Sequence, residues 1–236
     1  MLPLCLLTIA LNRSWPCNDE LDNEKQSYAR RWNATFIKVD SWSHKLFQEM
    51  NCRAPVLPEP RNARLAKLAA VHYYLPKCRQ LVFMDDTIRI NDKNFNLWSL
   101  NGVFWAALDV PSTQRPYPLK CMRRISKQLN KSETPSTGPM FNSGLMVFQS
   151  DKVKNVIASL STQLCQLKCL CFCDQVYFNA LFPIWKDLLR ETSVLQGSQL
   201  KNNLAAFDMT SFVHVTRGAL RHRRRWLCQA SSSLQE

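Results

Sequence analysis

Two carboxylates stand side by side at Asp85-Asp86, directly after the apolar run Leu81-Val82-Phe83-Met84. Adjacent anions at the end of a buried strand repel one another unless a cation sits between them. A hard divalent ion relieves that repulsion and leaves coordination positions for water and substrate phosphates. The competing reading is a solvated turn, where Asp-Asp also occurs. Asn142-Ser143-Gly144 brings compact hydrogen-bonding groups to the start of a second apolar run, Leu145–Phe148, although a β-turn would use the same residues. Asp174 and Gln175 follow an apolar stretch, and Asp174 suits the start of a helix.

The elements that must hold these groups alternate between strand-length apolar runs and helix-like segments. Leu4–Leu11 reads as a buried strand. Asn18 and Asp19 offer N-caps for a helix that runs from acidic to basic and ends near Arg31, the order the helix dipole favours. Thr35–Val39 is a short strand, and a loop with Pro55, Pro58 and Pro60 follows. Arg61–Leu75 carries Leu65, Leu68, Ala69 and Tyr73 at helical spacing, and Pro76 stops it. Leu81–Met84, Val103–Leu108, Leu145–Phe148 and Phe212–Val215 are further strands; Asp151 opens a helix towards Leu167, and Asp174–Leu181 is helical. Gln114–Pro139 is polar and basic and reads as a surface excursion. This alternation predicts an α/β fold with an open, mostly parallel sheet and helices on both faces. Ligands in such sheets bind beyond the carboxyl ends of the strands, so the polar residues after each strand are where chemistry is expected.

The 236 residues suit one domain spanning 1–236, with a basic segment at 217–236. Hydrophobic residues make up 46%, which excludes a disordered chain. The net charge of +13 favours polyanionic partners: nucleic acid, an anionic membrane or a phosphorylated small molecule. Ten cysteines are too few for a disulfide scaffold at this length, and Cys5, Cys78, Cys169 and Cys171 lie in apolar runs, which predicts reduced, buried thiols. The spacing of Cys165, Cys169, Cys171 and Cys173 spreads their thiols over different faces, so no zinc site is expected. Asn-x-Ser/Thr sequons occur at Asn12, Asn33 and Asn130. Met1–Leu11 is too short to span a bilayer and no other run suffices, so a chain soluble as written is expected. The cytoplasm is the expected compartment, or the Golgi or secretory lumen if an anchor lies upstream.

Val82-Phe83-Met84-Asp85-Asp86-Thr87-Ile88 resembles the strand-plus-Asp-x-Asp motif of GT-A fold glycosyltransferases, most of all the glycogenin and galactosyltransferase-like (family 8-type) group. Aligned on Thr87, Asp86 matches the second Asp, Met84 replaces the first and Asp85 fills the middle. Four segments with the same resemblance flank it in the family's order: Thr8–Asn12, Arg64–Lys67, Phe141–Phe148 and Cys173–Asn179. A fifth, Phe212–Gly218, is similar to a late strand supplying a metal-binding His.

The resemblance implies a GT-A (nucleotide-diphospho-sugar transferase, Rossmann-like) fold and a metal-dependent hexosyltransferase using a UDP- or GDP-linked donor, with retention of anomeric configuration. It implies Asp86, Asp85 and His214 as ligands of Mn²⁺ or Mg²⁺. Thr8, Ala10 and Asn12 would meet the nucleoside, with Trp15 as a stacking candidate. Lys67 would approach the donor, and Ser143 and Asn142 would lie near its sugar. Asp174 and Gln175 would act near the anomeric carbon, although Val176 stands where the family has its second Asp. Gly218 would admit the diphosphate, with Arg217 or Arg221 holding it. The resemblance leaves the acceptor open among a glycan, a protein side chain, a lipid and a small molecule. The rival readings are a basic nucleic-acid-binding protein, disfavoured because no recognised module is present; a nucleotidyltransferase; and an inactive glycosyltransferase-fold binding module.

Overall fold

A computed structural model describes residues 1–11, 17–49, 60–109, 119–129, 140–158, 174–182, 186–188, 194–196 and 211–214. Asn12, Trp15, Arg217, Gly218, Arg221, the segment 217–236 and the cluster Cys165–Cys173 lie outside these residues.

The chain opens with β1 (Leu4–Ile9), α1 (Asn18–Arg31) and β2 (Ala34–Val39). A short helix α2 (Lys45–Glu49) and a long one, α3 (Pro60–Tyr74), lead through a 3-10 turn at Leu75–Lys77 into β3 (Gln80–Met84). Then come β4 (Ile88–Ile90), β5 (Phe104–Leu108), α4 (Leu119–Gln128), β6 (Phe141–Gln149) and α5 (Ser150–Ala158). The last described elements are α6 (Asp174–Leu181), β7 (Lys186–Asp187), β8 (Val194–Gln196) and β9 (Phe212–His214).

Six strands form the main sheet in the order β2-β1-β3-β6-β5-β7. β1 pairs in parallel with β2 and β3, and β5 with β7, while β6 runs against both neighbours. The result is the mostly parallel α/β sheet expected from the alternating pattern. β3 is buried at every position, which is why its sequence is an unbroken apolar run rather than an alternation.

The two faces of the sheet are covered differently. Cys5, Leu7, Leu81, Phe83, Phe104, Met146 and Phe148 pack against helical residues including Leu68, Val71, Val153 and Phe178. On the opposite face, Leu6, Val82, Met84 and Val147 pack with Tyr28 and Ala29 of α1, and with Ile88 and Phe212 of a second, three-stranded sheet ordered β4-β9-β8. Helices on both faces were expected; a small sheet shares the second face with α1. Its strands are three residues each, too short to carry a periodic signal, and β4 and β8 went unrecognised in the sequence.

Other expectations shift for identifiable reasons. Cys17, not Asn18 or Asp19, occupies the cap of α1, without a side-chain capping bond, and Asp19 sits in the first turn. Pro60 begins α3 rather than ending a loop, which suits a residue lacking an N–H at a helix start. The supposed surface excursion at 114–139 contains α4, whose Ile125 is buried in the core. β6 starts at Phe141, so Asn142-Ser143-Gly144 belongs to a strand rather than a turn before it.

The reduced-thiol expectation fails at Cys5 and Cys78, which form a disulfide. β1 and the residues leading into β3 lie side by side, so two cysteines that separately look like core residues meet. Cys17 and Cys121 are also disulfide-bonded, and among the described residues no cysteine is free. The Cys5–Cys78 bridge closes a 73-residue separation. The double variant Cys5→Ala/Cys78→Ala is expected to lose about 2–4 kcal/mol of stability in denaturant unfolding, through a less constrained unfolded chain.

Candidate functional site

The site assembles where β3 ends, where β6 begins and where α6 starts. Phe83 and Leu81 face the helical side of the sheet, while Met84 is fully buried on the other. Met84, at the position aligned with the motif's first Asp, therefore lies in the core and outside the site. Asp85 follows at the strand tip; its N–H donates to the Gly144 carbonyl (2.8 Å), and its own carbonyl accepts from the Ile88 N–H (3.0 Å). That turn launches β4, and β4 pairs with β9 so that Ile88 stands opposite His214. This is how a residue near the far end of the chain arrives beside Asp85.

His214 Nε2 lies 3.2 Å from Asp85 Oδ2. The other oxygen, Oδ1, is 2.9 Å from Lys67 Nζ on α3. Lys67 continues to Asp174 Oδ2 at 2.6 Å and donates to Ser143 at both O (3.2 Å) and Oγ (3.3 Å). Ser143 Oγ in turn donates to Asp174 Oδ2 (2.6 Å). Lys67, Ser143, Asp174 and His214 are all buried. The Asp174 carboxylate is thus engaged by Lys67 and Ser143.

Electrostatics set the charge states. Burial alone would raise Asp85, but the Lys67 ammonium and the His214 imidazole outweigh it and hold the carboxyl well below the usual range. Burial would lower the Lys67 amine, yet Asp174 and Asp85 together keep it above its ordinary value. A buried ammonium held by two carboxylates is costly to desolvate and costlier to leave half-paired.

The start of β6 is shaped for this arrangement. Pairing with β5 jumps from Ala106↔Met146 to Ala107↔Asn142, a bulge that takes up residues 143–145. Bulges re-aim side chains beside active sites. Across its edge, Asn142 Oδ1 accepts from the Gly144 N–H (2.8 Å). A Cβ on Gly144 would sit 2.6 and 2.7 Å from Nδ1 and Nε2 of His214, so only glycine leaves room for the imidazole. Asn179 on α6 fixes the entrance of the strand, accepting from the Phe141 N–H (3.0 Å) and donating to its carbonyl (2.9 Å).

The remaining expected residues fall as follows. Asp86 is buried, and its backbone carbonyl accepts from Lys25 Nζ (3.1 Å). Thr8 is fully buried, with Oγ1 unpartnered among the described residues. Ala10 donates its N–H to Val39 O (2.9 Å) just past β1. Gln175 Nε2 donates to Asp109 Oδ2 (2.6 Å). The expected three-ligand set is not gathered: among the described residues no three His, Cys, Asp or Glu side chains converge as a metal site. The structure brings Asp85 and His214 together.

That pair still fits a divalent ion. Neighbouring ligands of an octahedral ion, each at 2.0–2.1 Å, are about 3 Å apart, close to the 3.2 Å between Oδ2 and Nε2. The carboxylate is a donor that Mn²⁺ or Mg²⁺ takes, and the imidazole one that favours a transition metal such as Mn²⁺ over Mg²⁺.

Sequence reasoning missed two polar residues. Asp109 follows β5, so the same strand-end rule that selected Asp85 would have found it. Lys25, on the inward side of α1, is fully buried, and burial pushes its amine below the ordinary range against the pull of Glu24, Asp86, Asp22 and Asp85. No motif marks it.

No protein-family model matches this sequence, nor does any curated protein. Its fold does have known counterparts. A glycosyltransferase involved in glycosylation of the major capsid of PBCV-1 matches with a TM-score of 0.58 at 10% identity, over 94% of this chain and 98% of that one. The apo structure of the bifunctional glycosyltransferase WbbM matches with a TM-score of 0.53 at 12% identity, over 90% of this chain and 45% of that one. At such identities the likeness is one of fold alone.

Two substitutions probe the site's construction. Lys67→Met is expected to cost about 3–5 kcal/mol in denaturant unfolding at neutral pH, because it leaves buried carboxylates without their cation. Asp85 is held low, so its contribution is complete above about pH 4 and disappears as pH falls through the folded value. The gap between wild type and variant therefore narrows on acidification. Gly144→Ala is expected to displace the imidazole and cost about 1–3 kcal/mol, with a shift of the His214 ring resonances in NMR.

Proposed function

We propose that the chain transfers a hexosyl-type sugar from a nucleotide-diphosphate sugar to a glycan, protein or lipid acceptor. A UDP-linked donor is favoured over a GDP-linked one, and retention of anomeric configuration over inversion. The reading rests on one observation: Asp85, His214, Lys67 and Asp174 converge at the carboxyl end of β3 in a glycosyltransferase fold.

Transfer breaks the bond between the anomeric carbon and the diphosphate oxygen, leaving negative charge on the departing nucleoside diphosphate. A divalent ion supplies Lewis-acid stabilisation of that charge when bound. Asp85 and His214 would hold it, and Asp86 would have to turn in from the next position in the chain to join them. Lys67 locks Asp85 in its ionised state and in one orientation, so the carboxylate is ready before the donor arrives. Asp174 and Gln175, at the amino end of α6, and Asn142, in the β6 bulge, would meet the sugar. Ala10 and Thr8 at the end of β1, with Asn12 beyond them, would line the nucleoside side. Gly218 and Arg221 would receive the diphosphate, the arginine by bidentate hydrogen bonds. The family 8-type resemblance supports the choice of sugar class and stereochemistry.

A panel of nucleotide sugars, assayed for nucleoside diphosphate release with and without Mn²⁺, tests this. We expect one donor class to turn over, chelation to stop release and Mn²⁺ to restore it. Asp85→Ala and His214→Ala should each lose about 100-fold or more, and Asp85→Ala should cost more than Asp86→Ala. Full turnover by Asp85→Ala would overturn the assignment, and donor binding without release would leave a binding module.

A further inference from the structure

The disulfide and an exposed turn on the far side of the sheet point to the same cellular setting. Cys5–Cys78 is buried in the core, Cys17 and Cys121 are bonded as well, and no described cysteine is free. Bridges of this kind form and persist in oxidising compartments, where asparagine-linked glycosylation also takes place. Of the sequons at Asn12, Asn33 and Asn130, the structure describes the one at Asn33.

Asn33 occupies the turn between α1 and β2 with φ 52°, a left-handed conformation that asparagine tolerates better than most residues. Its N–H donates to Arg30 O (3.1 Å), which fixes the turn, while the residue itself is exposed and its amide side chain makes no hydrogen bond with another described residue. Thr35, the third residue of the sequon, is exposed on β2, opposite Cys5 of β1. β2 is the edge of the main sheet. It runs parallel to β1 and, through it, to β3, so its first residues lie at the opposite end of the sheet from Asp85.

We propose that Asn33 is an acceptor for an asparagine-linked oligosaccharide, added in an oxidising, secretory lumen. Asn33 Nδ2 bonds to C1 of an oligosaccharide carried on a lipid diphosphate. The bond from C1 to the diphosphate oxygen breaks, the lipid diphosphate leaves with the electron pair, and the amide nitrogen gives up one proton. A glycan there would lie beside β2, the edge strand of the main sheet among the described residues, a position at which sheets otherwise join other chains. Its place at the far end of the sheet keeps it clear of donor entry. This inference does not depend on the proposed transferase activity.

The test is the full chain expressed behind a secretory leader in a glycosylating eukaryotic host, digested without reduction and read by mass spectrometry. We expect Asn33 to be recovered as Asp only after peptide N-glycosidase, and Cys5 and Cys78 to appear in one linked peptide. Asn33→Gln and Thr35→Val should each remove one glycan increment, and Thr35→Ser should keep it. Should secretion fail, translation with microsomes reads the same increment by gel mobility regardless of folding. An unmodified Asn33 in either system, or alkylatable Cys5 and Cys78 in the secreted protein, would overturn the proposal.

Discussion

A single ammonium group, that of Lys67, stands between two carboxylates brought from distant parts of the chain, Asp85 at the tip of β3 and Asp174 at the start of α6. Burying three charges in one place is unfavourable unless each is neutralised and hydrogen-bonded. Ser143 provides the additional hydrogen bonds, accepting from Lys67 and donating to Asp174. The cluster is therefore tolerable only when α3, β3, β6 and α6 are all in place. It ties the helical face of the sheet to the strand tip where the chemistry is proposed. Lys67 is one ammonium facing two carboxylates, and His214 is the second partner of Asp85.

The second constraint is steric. The β6 bulge brings the Ser143 hydroxyl to Lys67 and Asp174, and it puts a residue without a side chain where the His214 ring must lie. The small sheet then fixes the height of that ring by pairing β9 with β4, which grows directly out of the Asp85 turn. Asn179 secures the other side by bonding both backbone groups of Phe141, much as a neighbouring strand would. Short elements with no strong sequence pattern thus determine the geometry, while the long apolar strands determine only the scaffold.

This division explains what could be read in advance. Long periodic or wholly apolar segments declare themselves: β3, β5, α1 and α3 were legible to within a residue or two, and with them the sheet. The Asp-Asp step and Asn-Ser-Gly were legible as candidate positions because polar groups there interrupt apolar runs. Which carboxylate faces His214 was not, since alternation along β3 places Met84 in the opposite core and makes Asp85 the residue that turns inward, a fact about sides of a sheet rather than residue type. Lys25 was invisible because a lysine in a charged helix normally reads as solvated. The Cys5–Cys78 bridge was hidden for a similar reason: each thiol sits in an apolar context, and only the parallel alignment of neighbouring strands joins them.

The reversed strand has a temporal implication for a chain emerging from the ribosome. β1, β2 and β3 can associate early, but β6 inserts between β3 and β5, so β5 has no place in the sheet until residues 141–149 have been made. His214 arrives later still. Contacts between such distant segments form slowly because the intervening chain must first be closed. The Asp85–His214 contact would form only after that, and until residues 141–149 are made the half-built sheet has an open edge at β3, a defined interval in which a folding helper can act.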